Sequence, residues 1–134
     1  MKLSAFALAL GLFASPALAI DFEANDQGNI DFDMPSGNMC CSYIPDAADG
    51  PLLECTRVKP KYWIVQLSAD GALNVNKNPG EVPGCGYGEP MGNVFSYGTT
   101  WHKGPFKCSS SSSGIKCTAN GSGFKLSKAG LKQY

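Results

Sequence analysis

The chain has 134 residues, and 11 basic side chains balance 11 acidic ones, so its formal net charge is zero at pH 7. This length fits one small domain. The only arginine is Arg57, which argues against a nucleic-acid reader, because such proteins use arginine heavily to contact bases. The chain contains 16 glycines and 9 prolines, which favours short strands with frequent turns over long helices.

The first 19 residues have the parts of a secretory signal peptide. Lys2 precedes an apolar run over residues 3–14, and the segment ends in Ala17-Leu18-Ala19. The run is too short and too rich in alanine to span a bilayer, which needs about 20 residues; the alternative is a buried N-terminal helix. We expect cleavage after Ala19 and a single mature domain over residues 20–134. The mature chain is then periplasmic or secreted, with no stable membrane insertion.

The mature part is predicted to be all-β: a small antiparallel sandwich or barrel stapled by disulfides. A loose acidic lead-in covers residues 20–29. The predicted strands then follow in order at residues 30–32, 39–44, 51–58, 61–68, 72–76, 94–102, 105–109, 115–119 and 124–127. The serine run 109–113 is predicted to be a hairpin loop, and 78–93 a long irregular loop. Ser127 is a suitable cap for one short C-terminal helical turn through Leu131.

Six cysteines follow the signal segment, and an exported chain meets an oxidising compartment in which they can pair. Six cysteines allow fifteen connectivities, and sequence alone does not choose among them. Local geometry favours a Cys108–Cys117 bridge across the serine hairpin and a Cys41–Cys55 bridge between consecutive strands. These two bridges leave Cys40 to pair with Cys85. The choice between the adjacent Cys40 and Cys41 stays open. A metal or redox centre is disfavoured, because there is no Cys-x-x-Cys and only one histidine.

The charges are unevenly distributed along the chain. Residues 20–56 contain eight acids and no lysine or arginine, whereas residues 90–134 contain six lysines and no acid. The preferred interpretation is that the two ends lie side by side and neutralise each other. The alternative is a bipolar surface whose basic end meets polyanions such as envelope glycans or phosphates.

No catalytic set is evident, and we predict that the protein is not an enzyme and uses no cofactor or metal. His102 is the only histidine, and no Gly-x-Ser-x-Gly elbow links it to Ser36 or to the serine run. Asp31 and Asp33 share one strand face, but no groove pattern supports a glycosidase. The candidate contact surface is formed by loops 78–93 and 109–114, with four possible binding residues: Trp101, His102, Tyr87 and Lys103.

Several motifs occur in a fixed order along the mature chain: Met34-Pro35-Ser36-Gly37-Asn38-Met39 and Cys41, Leu53-x-Cys55, Tyr97-Gly98-x-x-Trp101-x-x-Gly104-x-x-x-Cys108, Ser113-Gly114-x-x-Cys117, and Gly121-x-Gly123-Phe124-x-Leu126-Ser127. This series resembles a family of small secreted bacterial proteins of unknown function. The chain departs from the family pattern in two ways: it lacks a cysteine in residues 74–78, with Cys40 as the extra one, and it has Ser122 where a histidine is usual. The resemblance implies export and a β-rich, disulfide-bonded domain, and it carries over no catalytic residue.

These features together predict an exported, non-catalytic binding or structural protein of the bacterial envelope or extracellular space. Its partner would be an unidentified protein or glycan of the envelope, and no nucleic acid. The alternative is a proteinaceous inhibitor of a secreted hydrolase such as lysozyme, because small stapled β domains with rigid loops suit that task and the acidic half could meet a basic enzyme.

Overall fold

The computed structural model describes residues 17–80, 85 and 92–134. These residues form an all-β fold, as the sequence predicts. Its twelve strands are β1 (Leu18–Ala19), β2 (Ile30–Asp33), β3 (Met39–Ile44), β4 (Leu52–Arg57), β5 (Trp63–Ser68), β6 (Leu73–Asn76), β7 (Asn93–Val94), β8 (Thr99–Lys103), β9 (Phe106–Ser111), β10 (Gly114–Ala119), β11 (Ser122–Leu126) and β12 (Leu131–Gln133). Within the described ranges, no helix has the length and apolar character needed to cross a bilayer.

The strands form two six-stranded sheets that pack as a sandwich. The first sheet has the order β6-β5-β4-β3-β2-β7, and the second has the order β1-β8-β9-β10-β11-β12. Consecutive strands pair antiparallel through short turns, while the two-residue strands β1 and β7 pair in parallel with β8 and β2. Each half of the chain therefore builds one sheet, apart from β1, and the alternative between sandwich and barrel is settled in favour of the sandwich.

Alternation of apolar and polar residues places one face of each sheet in a common core. In β9, Phe106, Cys108 and Ser110 are buried while the residues between them are exposed, as expected for a strand with one face in the core. An aromatic cluster fills the centre. Phe32 lies with its ring centroid 5.3 Å from both Phe95 and Trp101.

The three disulfides are the pairs favoured by the sequence. Cys41 lies directly opposite Cys55, and Cys108 lies directly opposite Cys117, with Cα–Cα distances of 4.0 and 4.1 Å. Both of these bridges point into the core. Cys40 points to the outer face of the first sheet and is bonded to Cys85. Adjacent residues of a strand face opposite ways, which resolves the choice between Cys40 and Cys41.

Two glycines of the C-terminal motif have distinct structural reasons. Asn120 and Gly121 have φ values of 50° and 83°, the left-handed pair that a tight two-residue hairpin requires. Gly123 is buried in β11, and a Cβ there would overlap the carbonyl oxygen of Cys117 on the neighbouring strand. In the Gly-x-Gly pattern, Gly121 thus permits the turn and Gly123 permits the close approach of two backbones.

The predicted C-terminal helical turn is wrong. Ser127 and Gly130 exchange two backbone hydrogen bonds, 2.9 and 3.2 Å long, which close a tight turn instead. The chain then returns as β12 beside β11, and Leu131 packs against the core. Pairing with the exposed edge of β11 satisfies more backbone groups than one isolated helical turn would.

Two predicted boundaries also change. The strand predicted over 94–102 is divided, because the chain crosses from β7 in the first sheet to β8 in the second through a turn at Gly98, where φ is 83°. The serine run is mostly strand: β9 extends to Ser111, and the buried Ser110 hydroxyl donates to the Phe95 carbonyl at 2.8 Å.

The acidic lead-in is not loose at its start. The Phe22 ring stacks on Phe32 with the centroids 4.7 Å apart, and it also contacts Phe95 and Trp101. The Ile20 amide donates to the Thr100 carbonyl at 2.9 Å. Ile20 and Phe22 at the start of the lead-in therefore pack against the core of the domain, while residues 23–27 are exposed.

This packing predicts the effect of trimming the N-terminus. A chain that begins at Ile20 should be as stable as one that begins at Ala17, because Leu18 is exposed and adds little burial. A chain that begins at Glu23 should lose about 2 kcal/mol of unfolding free energy, since it lacks the Phe22 ring. Urea denaturation of the three chains measures this. Equal stability of the Ile20 and Glu23 chains would contradict the packing described for Phe22.

Candidate functional site

Four turns and Tyr97 surround a groove at one end of the sandwich. We call this cavity, of about 520 Å³, the turn groove. Its lining comes from the β2–β3 turn, the β4–β5 connection, the β9–β10 turn and the β11–β12 turn: Ser36, Gly37, Asn38, Met39, Val58, Lys59, Tyr97, Ser111, Ser112, Ser113, Gly114, Ser127, Lys128 and Ala129. Parts of four of the sequence motifs thus meet at one place.

Side-chain hydrogen bonds hold one wall of the turn groove. The Asn38 amide nitrogen donates to the Lys59 carbonyl at 2.9 Å, and the Lys59 backbone amide donates back to the Asn38 side-chain oxygen at 2.7 Å. The Ser36 hydroxyl oxygen accepts a hydrogen bond from the Asn38 backbone amide at 3.2 Å. Gly37 has φ at 76°, a conformation that glycine adopts without strain. The Pro-Ser-Gly-Asn motif therefore shapes the β2–β3 turn and links it by hydrogen bonds to the β4–β5 connection.

Arg57 lies beneath the groove and joins the two sheets. Its side chain is only 2% exposed, and it donates to the carbonyl of Lys61 at 3.1 and 3.2 Å and to those of Ser127 and Lys128 at 3.3 and 3.4 Å. The guanidinium also stacks on Trp63 at 3.6 Å from the ring centroid. Desolvation by burial lowers the pKa of Arg57 from its ordinary value. Nothing in the spacing of residues around Arg57 indicates this role.

The groove lining mixes polar side chains with apolar ones such as Met39 and Val58, and none of its residues is acidic. Tyr97 lies at the edge of the groove and is 44% exposed. The Ser111 and Ser113 hydroxyls lie 2.8 Å apart beside the β9–β10 turn. Lys59 and Lys128 add positive charge. Hydroxyls, ammonium groups and an exposed ring suit a hydroxyl-rich or anionic ligand.

A second surface carries the lysines. The outer face of the second sheet, which we call the lysine face, presents the outward side chains of strands β8 to β12: His102, Lys107, Lys116, Lys125 and Lys132. The outer face of the first sheet carries Asp31, Asp33 and Glu54. The two halves of the chain therefore place these charges on opposite sides of the sandwich. The expectation that the two ends neutralise each other is wrong for these strand residues.

Comparison of the chain with protein-family models, curated proteins and solved structures finds no match. The resemblance to secreted bacterial proteins stays a prediction.

The structure separates the four predicted binding residues. Trp101 is 3% exposed and belongs to the aromatic core, so almost none of its side chain is open to contact from outside. It follows Thr100 and precedes His102 on β8, and alternation sends Trp101 inward and His102 outward. His102 and Lys103 are exposed. Tyr87 lies outside the described residues, as does most of the predicted contact loop 78–93.

No serine of the described chain hydrogen-bonds to His102. His102 lies with Ser109 in a shallow depression of about 710 Å³ on the lysine face, whereas Ser36 lies in the turn groove at the end of the sandwich. Ser111, Ser112 and Ser113 of the serine run also line the turn groove. No described serine among these nucleophile candidates therefore has the base contact that activation requires.

The acidic outer face offers no formed metal site among the described residues. Asp31 and Asp33 share this face, as predicted, and the Asp31 carboxylate accepts a hydrogen bond from Ser42. Asp33, Cys40 and Cys85 bring their ligand atoms within 4.8 Å of one another. Both sulfurs are joined in a disulfide, so neither is the thiolate that a metal would need.

Proposed function

We propose that the protein is an exported, non-catalytic binding protein of the bacterial envelope or extracellular space, and that the turn groove holds a sugar unit of an envelope glycan. One observation carries this proposal: four turns converge on a groove whose lining includes serine hydroxyls, two lysines and one exposed aromatic ring. A rigid sheet scaffold that presents loops at one end is a common arrangement for binding sites.

The composition of the groove supports a saccharide. Sugars offer many hydroxyls, which pair with serine hydroxyls and backbone groups, and the C–H face of a sugar ring packs on an aromatic ring such as Tyr97. Lys59 and Lys128 would favour an acidic sugar over a neutral one. The three disulfides are typical of extracellular or periplasmic proteins, which is where such glycans occur.

Binding fits the groove better than catalysis does. General acid–base chemistry needs a carboxyl, imidazole or similar group within reach of the substrate. Neither histidine nor any carboxylate is among the residues that line the turn groove. The lysines there are suited to hold an anion.

Replacement of Tyr97 tests this proposal. The oxidised mature chain is assayed against immobilised envelope glycans: peptidoglycan fragments, lipopolysaccharide core and capsular polysaccharide. We expect retention of at least one, and Tyr97→Ala should weaken it about tenfold, since loss of one aromatic platform costs about 1 kcal/mol or more. Tyr62→Ala is the control, because Tyr62 is half-buried and does not line the groove. No retained glycan, or equal losses in the two variants, would refute the proposal.

The acidic outer face of the first sheet favours one second candidate, an inhibitor of a basic secreted hydrolase such as lysozyme. Opposite charge would steer the two proteins together. A lysozyme assay with excess mature protein separates the candidates. Stoichiometric inhibition that Glu54→Gln weakens and Tyr97→Ala does not would move the function to the acidic face.

A further inference from the structure

We propose that the lysine face binds a linear polyanionic polysaccharide laid across β10, β11 and β12. In the register of these strands, Lys116 lies directly opposite Lys125, and Lys125 lies directly opposite Lys132. The Cα atoms of these three lysines therefore form a row perpendicular to the strands. This inference concerns a surface other than the turn groove and does not rest on the function proposed for that groove.

The arrangement of these lysines works against the stability of the sheet. Like charges directly opposite on neighbouring strands are destabilising, and stable sheet surfaces usually intersperse both signs. Residues 92–134 contain no Asp or Glu to relieve the repulsion. The nearest acid identified beside this face is Asp21, which lines the shallow depression at the β8 side together with Lys107 and Lys116. A stabilising role thus does not explain the line of lysines.

Neutral groups orient the lysines without cancelling their charge. The Tyr134 ring lies beneath two of them, with the ammonium nitrogens of Lys116 and Lys132 at 4.4 and 5.4 Å from the ring centroid. Tyr134 is itself held by two backbone hydrogen bonds to Gly123. The Lys125 ammonium donates to the Ser113 hydroxyl at 2.9 Å. Side chains that are already ordered lose less entropy on binding an anion.

The spacing and chemistry fit a polymer with repeated anionic groups. Neighbouring strands lie about 4.8 Å apart, so the lysines recur at short, regular intervals across the sheet. The Lys116 and Lys132 ammonium groups converge on Tyr134, and that of Lys125 points towards Ser113. Lysines are point charges that do not demand the fixed fork of arginine, and they suit carboxylates or phosphates that vary in orientation. The exposed Tyr134 ring adds a surface on which a sugar ring can pack.

A polysaccharide fits this face better than a membrane does. Peripheral membrane surfaces combine basic residues with apolar side chains that insert among the lipids. The large exposed hydrophobic side chains of the described chain are Leu18, Val94, Tyr97 and Tyr134, and of these only Tyr134 lies among the lysines. The acidic outer face of the first sheet would be repelled by the same polyanion. We therefore expect the polysaccharide to contact the lysine face and not the outer face of the first sheet.

Titration with polygalacturonate oligomers tests the inference by calorimetry at low salt, with neutral dextran as the reference polymer. We expect binding of polygalacturonate alone, weakened about tenfold or more in 0.5 M NaCl because salt screens exposed charges. The variant Lys116→Gln/Lys132→Gln should lose about tenfold or more in affinity. The control Lys61→Gln/Lys77→Gln makes the same change in net charge away from this face and should bind normally.

A stability measurement distinguishes recognition from a structural role. Lys116→Gln/Lys132→Gln should melt at the same temperature as the parent or higher, because it removes repulsion. Tyr97→Ala should bind polygalacturonate normally, so a failure of the turn-groove proposal would leave this result untouched. Equal losses in the two lysine variants, binding of dextran as well, or binding of phosphatidylglycerol vesicles without binding of polygalacturonate would overturn the inference.

Discussion

Replacing Arg57 with alanine should lower the free energy of unfolding by about 3–5 kcal/mol, because it removes four hydrogen bonds and a large buried side chain. The substitution removes the guanidinium donor from the carbonyls of Lys61, Ser127 and Lys128. The Ser127 carbonyl keeps the Gly130 amide as a donor, and an acceptor left unpaired away from water costs about 1–3 kcal/mol. It also leaves a cavity beside Trp63. The melting temperature of Arg57→Ala should be lower than that of the parent by about 10 °C or more for a domain of this size.

Two further variants make the Arg57 result specific. Arg57→Lys keeps a charge but loses the planar fork that reaches several carbonyls at once, so its stability should fall between the parent and Arg57→Ala. Lys61→Ala removes an exposed side chain but keeps the carbonyl that Arg57 contacts, and it should change stability by less than about 0.5 kcal/mol. A loss below about 1 kcal/mol in Arg57→Ala would show that the guanidinium does not join the sheets.

Removing the inward bridge with Cys41→Ala/Cys55→Ala should cost about 4 kcal/mol. A disulfide that closes a loop of about 15 residues contributes about 3 kcal/mol by restricting the unfolded chain, and the sequence separation here is 14. The two sulfurs are also buried in the core, so their loss adds a small cavity. Chemical denaturation under oxidising conditions measures the difference, which should shrink greatly once both proteins are reduced.

Single substitutions check the pairing itself. In Cys41→Ala, Cys55 should be left as a free thiol that is labelled only on unfolding, because Cys40 points to the other face of the sheet and stays bonded to Cys85. In Cys40→Ala, Cys85 should be the free thiol instead. A Cys40–Cys55 bridge in the Cys41→Ala variant, found by peptide mapping without reduction, would contradict the strand geometry.

The strands and disulfides could be predicted because they depend on local patterns. Residues that face alternately into and out of the core make a strand such as β9 predictable from the sequence, and the cysteines paired across neighbouring strands are close in sequence. The same alternation could have removed Trp101 from the predicted binding residues, since Trp101 and His102 are neighbours on one strand and must face opposite ways. Aromatic character alone does not indicate exposure.

Other features depend on contacts between distant segments. The break near Gly98 arises because the chain changes sheets, and the apolar pattern of Phe95 to Trp101 does not reveal it. Arg57 meets Ser127 and Lys128 about 70 residues further along the chain, as the hydrogen-bond separations of 70 and 71 show. The turn groove is likewise assembled from four separate turns. Only the fold brings these motifs together.

The two proposed binding surfaces differ in shape and in charge. The turn groove offers a concave, hydroxyl-rich site at the end of the sandwich, while the lysine face offers an open, ordered row of charges. Lys125 connects them, because it lies on the face and donates to Ser113 in the groove wall.

The most direct measurement is an NMR titration of the isotope-labelled mature chain with the envelope glycan that binds best. The account predicts that the largest amide shifts occur at the groove turns, at residues such as Ser36, Tyr97 and Ser112, and that Tyr97→Ala suppresses them. Shifts confined to the outer face of the first sheet, or no shifts with any envelope glycan, would contradict the conclusion that the turn groove is the binding site.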